Sequence, residues 1–389
     1  MNNAPAHARR VNRGRDKAYE SRHRKADRLY ELDGLRLAAA LCVVLFHYTF
    51  SGPVGGTTTI TYPEISGLTQ YGYLGVDLFF LISGFVVLMS AWGKSPRAFA
   101  ASRLARLYPA YWLGVAVTAL VTVTLGQGMF EVSPIQVLAN LTMFQSVADV
   151  PNVDVVYWTL WAEMRFYFLI LAFAWVGMTR GRVMAMLWGW LAMTALVQAG
   201  VLPGVADLVV QSEFAHYFIA GMALFMVYRF GVTWQTLLLV PLCLANAVYR
   251  GIGYADAVGR RYGAEYDPWV IAIVIAAAFL VMTLVAVRAL RPLARPWLVT
   301  AGALTYPLYL LHGHIGFVVI ERTGGAVDRW VLLAALVAVM CLAAHAVHRW
   351  VERPAAPLVR RLAGPRTPPG ATGSPPPVPV RPPDAAGRY

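Results

Sequence analysis

Two residues near the amino terminus raise the chemical question. In ELDGLRLAAALCVVLFHYTF, which starts at Glu31, Arg36 and His47 lie eleven residues apart. In a helix, eleven residues turn through about 1100°, about 20° beyond three turns, so both side chains share one face with a rise of about 16 Å between them. A guanidinium is a permanent cation whose fork matches phosphate or carboxylate, and an imidazole takes and returns a proton near neutral pH. One face thus carries an anion-binding group low and a candidate general base high. Taken singly, Arg36 also reads as a snorkelling helix-end anchor and His47 as a packed, hydrogen-bonded histidine. Their shared face argues against both.

Four other segments carry groups of the same kind. YGYLGVDLFFLISGFVV, from Tyr71, holds Asp77 near one end, where it is either a helix-end acid or a ligand contact. Its Ser83 and Gly84 suit close helix approach more than nucleophilic chemistry. SRLARLYPAYW holds Arg103 and Arg106, three apart and on one face if the segment is helical. They are either loop charge or a pair of forks for a phosphorylated ligand. VYWTLWAEMRFYFL, from Val156, holds Glu163 at about the depth of His47, a natural partner to orient an imidazole. Arg165 lies about 200° away around that helix. LTYPLYLLHGHIGF, from Leu304, holds Tyr306, His312 and His314 beside Thr305 and Tyr309, and Pro307 is expected to kink it. Most of these pack; Tyr306 and His312 are retained as binding candidates.

The elements that position these groups follow from composition. Of 389 residues, 58% are hydrophobic and 14% charged, against about 25% charged in ordinary soluble domains. This composition excludes a soluble enzyme with one anchor, a secreted disulfide scaffold and a disordered regulator. Cys42, Cys243 and Cys341 all lie in apolar runs, with no metal-ligand spacing. Ten spans are expected, near 32–50, 72–92, 108–126, 156–177, 183–201, 213–230, 232–249, 269–287, 297–320 and 330–350, giving an all-α, polytopic membrane bundle. Segment 133–147 is too short to cross and reads as interfacial or re-entrant.

With the amino terminus inside, the inner side holds 27 Lys/Arg and the outer side five, so both termini are expected in the cytoplasm. This asymmetry, not nucleic-acid binding, accounts for the net charge of +13. Residues 1–30 hold nine Lys/Arg and residues 364–389 nine prolines. A basic disordered tail at 1–30, touching anionic lipid and not cleaved as a signal peptide, and a Pro-rich disordered tail at 355–389 are expected to flank a membrane domain at 31–354.

In this order and at these spacings, the motifs resemble acyltransferase family 3, the integral-membrane O-acyltransferases. Arg36 and His47 match its arginine-x10-histidine motif, Ser83 to Phe85 its SGF element, and Arg103 and Arg106 its arginine-x2-arginine motif. Trp158, Glu163, Phe166 and Tyr167 match its tryptophan-rich segment, Tyr306 to His312 a YPLYLLH-like helix, and Glu352 to Pro354 a terminal ERP. The hydrolase-like domain that follows in some members is not expected. The resemblance implies acyl transfer from acyl-CoA to a sugar hydroxyl, on a surface glycan or a macrolide-like glycoside, with His47 as base, no metal and no nucleic-acid partner. On that basis Glu163 is expected to set the tautomer of His47, and Arg36, Arg103 and Arg106 to form a cytoplasmic mouth for the CoA. Asp77, Tyr306 and His312 complete the binding candidates. A general base and an acyl-histidine intermediate both remain open. A secondary transporter or glycan flippase is the rival, since ten helices with ions at mid-depth fit that class too.

Overall fold

Within a bilayer a backbone must satisfy its own polar groups, which leaves an apolar chain of this kind one solution, helices. The computed structural model describes residues 29–363, and these contain helices and no strands. The long elements are α1 Tyr30–Phe46, α2 Gly75–Ala91, α3 Pro96–Leu125, α4 Trp158–Val176 and α5 Arg180–Gln198. They continue as α6 Ala215–Phe230, α7 Trp234–Tyr262, α8 Pro268–Ala286, α9 Leu298–Leu311, α10 His314–Thr323 and α11 Arg329–Val347.

Eight helical stretches among the described residues are long and apolar enough to cross a membrane, and α9 with α10 makes a ninth if that bent pair is one span. The remaining expected span, 183–201, is α5. It is 19 residues long, but Arg180 and Arg182 in its first turn and Gln198 at its end leave it less apolar than the others. The chain is a multi-pass membrane protein.

Several boundaries differ from the sequence expectation. α3 begins at Pro96, not 108, and Pro109 sits inside it, so Arg103 and Arg106 lie on a helix. α7 runs on to Tyr262 and absorbs most of the expected loop 250–268; Gly251, Gly253 and the charges after them look like a loop in sequence, yet Gly251 packs against Ile275 of α8. The ninth span breaks by 71° after Leu311, whereas Pro307 stays within α9. Segment 133–147 carries the short helix Pro134–Leu141, opened by a capping box between Ser133 and Gln136, and the start of a 3-10 turn at Gln145–Ala148. At the carboxyl end a helix spans Arg353–Ala363, so the expected tail boundary at 355 falls inside it. That helix continues from α11 through the π-helical turn His348–Glu352, just before Pro354, and Ala355, Ala356 and Leu358 favour helix. Of the expected tails 1–30 and 355–389, residues 1–28 and 364–389 lie outside the described residues.

α6 closes the most enclosed span, Gly204–Phe230, whose apolar stretch is 83% buried. It meets α2 at a crossing of two glycines. A Cβ on Gly84 would lie 2.3 Å from the Phe218 carbonyl oxygen, and one on Gly221 2.1 Å from that of Leu81. Only glycine allows backbones this close, so Gly84 holds the place of Ser83 beside α4. α1 and α9 run side by side in the same direction. Asp33 abuts Gly302 at one end and His47 meets His312 at the other.

Gly221→Leu is expected to force α2 and α6 apart and to destabilise the bundle by about 1–3 kcal/mol or more. The measurement is the thermal midpoint of the detergent-purified protein; an unchanged midpoint would show that this crossing does not hold the bundle together.

Candidate active site

α1 ends by widening into a π-helical turn, His47–Ser51, and His47 is its first residue. Turns of this kind occur often at functional sites. The His47 Nδ1 lies 3.3 Å from His312 Nε2, and the rings stack at 5.1 Å with 30° between planes. Both side chains are buried. On its far side His312 Nδ1 faces the carbonyl oxygens of Tyr309 at 2.9 Å and Leu308 at 3.2 Å. Carbonyl oxygens only accept, so this nitrogen carries the hydrogen and the Nε2 of the neutral ring is an acceptor. The hydrogen between the rings therefore belongs to His47 Nδ1, and His47 Nε2 keeps its lone pair. A backbone carbonyl thus fixes the tautomers of two imidazoles in series.

This arrangement corrects the expected pairing of His47 with Glu163. Glu163 faces away and accepts from Ser83 Oγ at 2.8 Å and from the Tyr167 hydroxyl at 2.6 Å, both at Oε1. It lines a cavity of about 120 Å³ together with Arg36, Arg103, Arg106 and Tyr306. Three arginines and a carboxylate from α1, α3 and α4, far apart in sequence, thus meet at one place. The Arg103 guanidinium stands 5.7 Å from the ring centroids of Phe99 and Tyr167. That of Arg106 stands 6.0 Å from Tyr306, whose hydroxyl donates to the Leu107 carbonyl at 3.1 Å. The rest of the wall is largely apolar, with Val76, Phe79, Phe80, Val87 and Leu160. A cationic end with an apolar body suits an anion attached to a slender organic arm.

His47 lines a second cavity, of about 100 Å³, with Asp77, Trp158 and Tyr254. Asp77 accepts from the Tyr217 hydroxyl at 2.9 Å. Val76 and Tyr309 belong to the walls of both cavities. The Tyr309 hydroxyl is held by Thr159 Oγ1 at 2.8 Å and the Val156 carbonyl at 3.2 Å. The sequence candidates therefore divide in two. Arg36, Arg103, Arg106, Glu163 and Tyr306 surround one cavity, His47 and Asp77 the other, and His312 stands behind His47. Among the described residues no group of three or more His, Cys, Asp or Glu is placed to hold a metal ion.

Three residues at this site were not among the sequence candidates, although Ser83 and Tyr309 lie within matched motifs. Ser83 is the hydroxyl partner of Glu163, Tyr309 forms the shared wall, and Asp154 shapes the break after His312. Asp154 is fully buried; its Oδ2 accepts from His314 N at 2.9 Å and its Oδ1 from Val156 N at 3.2 Å. Its carboxylate fills the place that a Cβ on Gly313 would need, 2.0 Å away. The fold breaks at Gly313 rather than at Pro307 for this reason.

The model of the family described as the acyltransferase domain matches residues 29–348. Over 99 residues the chain is 29% identical to the peptidoglycan O-acetyltransferase OatA of Listeria monocytogenes serovar 1/2a. That stretch is 24% of this chain and 13% of the relative, so the chain matches only a small part of the relative's length. No solved structure matches.

Asp154→Ala leaves the His314 N–H without its acceptor inside the protein, which costs about 1–3 kcal/mol. A lower thermal midpoint is expected, with Asp154→Asn, which keeps an oxygen, falling less. Equal midpoints for Asp154→Ala and the unaltered protein would remove Asp154 from this role.

Proposed function

The chain belongs to acyltransferase family 3, and from that premise we propose that it moves an acyl group from acyl-CoA to a sugar hydroxyl of a surface glycan or a glycosylated natural product. The observation that carries this reading is the pairing of two cavities through one wall. A cavity with three guanidiniums suits the phosphates of a CoA, and the cavity behind Val76 and Tyr309 holds an imidazole with a free lone pair. The arm of an acyl-CoA is on the order of the rise of about 16 Å that separates Arg36 from His47 along α1.

In the proposed reaction the acceptor hydroxyl gives its proton to His47 Nε2 as its oxygen attacks the thioester carbonyl. The C–S bond breaks, the new C–O ester bond remains, and the proton passes from His47 to the departing thiolate, giving CoA with a free thiol. His312 acts as a positioning residue, since it holds His47 by the nitrogen that does not react. Glu163 is the counter-charge that keeps three like charges together around an anionic guest. The arginine-rich cavity is proposed to face the cytoplasm, where CoA is found, with both chain termini on that side. The positive-inside asymmetry supports this orientation, and the similarity to a peptidoglycan O-acetyltransferase supports a carbohydrate acceptor.

His47→Gln and His47→Ala are expected to lower transfer of label from radiolabelled acetyl-CoA to glycosides about 10²–10⁴-fold in proteoliposomes. Near-normal turnover in either folded variant would refute the general-base role. Arg36→Gln and Arg103→Gln each remove a charged hydrogen bond worth about 1.5–3 kcal/mol. This should raise the KM for acetyl-CoA about tenfold or more, with the acceptor KM unchanged. A donor KM that stays put in both variants would sink the assignment of the arginine cavity to CoA.

A further inference from the structure

α4 is a partition with two chemical faces. Thr159, Glu163 and Tyr167, spaced by four, line the arginine cavity. Trp158, Trp161 and Arg165, spaced by three and four, share the opposite stripe. They line an open recess of about 360 Å³ together with Ser146, Glu213 and Arg261. Its size falls within the range of about 300–1,000 Å³ usual for small-molecule sites. The recess also leads inward. Trp158, Phe214, Tyr254 and Arg261 line it and also line the cavity that holds His47.

We propose that this recess binds the acceptor, and that the acceptor is a sugar carrying a negative charge, as a carboxylate or a phosphate. The proposal rests on the acyl-transfer reading and names the acceptor class for it. Two observations carry it. First, Arg165 lies within a membrane span, where an unpaired cation is costly. Its guanidinium stands over Trp161 at 5.7 Å, and its Nε, buried, has no hydrogen-bond partner. Among the described residues neither Arg165 nor Arg261 is ion-paired. The lining holds two guanidiniums and one carboxylate, Glu213, and with Asp207 and Arg250 acting on these from behind the wall the recess keeps one net positive charge. Second, Trp158 and Trp161 offer flat aromatic faces suited to the C–H face of a sugar ring, and Glu213 and Ser146 offer acceptors for its hydroxyls. A sugar seated there points a hydroxyl past Trp158 toward His47.

The test uses the full-length protein in detergent and measures its thermal midpoint with methyl β-D-glucuronide, glucose 1-phosphate, methyl β-D-glucoside or inorganic phosphate. One or both anionic sugars should raise the midpoint by about 2–4 °C at roughly ten times their Kd. A shift with the glucuronide alone identifies a carboxylate, and one with glucose 1-phosphate alone a phosphate. The shift should vanish in Arg165→Gln and in Arg261→Gln, the latter at an exposed position that does not support folding, and should shrink in Trp161→Ala. No shift, an equal shift with the neutral glucoside or with phosphate alone, or a full shift in Arg261→Gln would overturn the proposal. Running His47→Gln in parallel separates the two readings. A retained sugar shift without acyl transfer in any protein would end the enzymatic reading and leave the recess standing as an anionic-sugar site.

Discussion

Two backbone carbonyl oxygens, those of Tyr309 and Leu308, decide where the protons of the site reside. They face the Nδ1 of His312, so His312 must accept from His47, and the outer nitrogen of His47 must be bare. In water, exchange would scramble such an arrangement. Among buried side chains no water competes for the donors, and the Nδ1 of His312 faces only acceptors. Much of the surrounding fold serves to keep the three groups aligned. α1 and α9 lie side by side, the π-helical turn swings His47 inward, and Asp154 pins the chain where α9 stops.

The second constraint is the cost of charge at depth in a membrane. Three arginines gather around one carboxylate, and that carboxylate takes hydrogen bonds from a serine and a tyrosine. None of these residues is a neighbour of all the others in sequence. α4 lets one helix serve two polar environments at once, because residues four apart point one way and those two further along point nearly the reverse. The glycine crossing of α2 and α6 keeps Ser83 in reach of Glu163 by allowing the backbones to touch.

The amino-acid sequence made the membrane bundle legible, because long apolar runs have no other physical solution. It also put Arg36 and His47 on one face, since helical period alone links them, and it grouped Arg36, Arg103 and Arg106 while assigning Glu163 to His47. It misassigned the partner of His47. Glu163 and His312 both stand near the right depth, and depth does not say which way a side chain faces. The contact that decides it spans 265 residues. The break in the ninth span was attributed to Pro307 because proline is the visible kink former, whereas the cause is a carboxylate from another segment. The length of α7 was hidden by glycines and charges that in isolation favour a loop.

The wall formed by Val76 and Tyr309 has a consequence for the acyl groups that can react. On the acyl-transfer reading, two reactants reach the same bond from separate chambers. The acyl group must then pass between Val76 and Tyr309, so the space those two side chains leave, rather than the volume of either chamber, sets which acyl groups react.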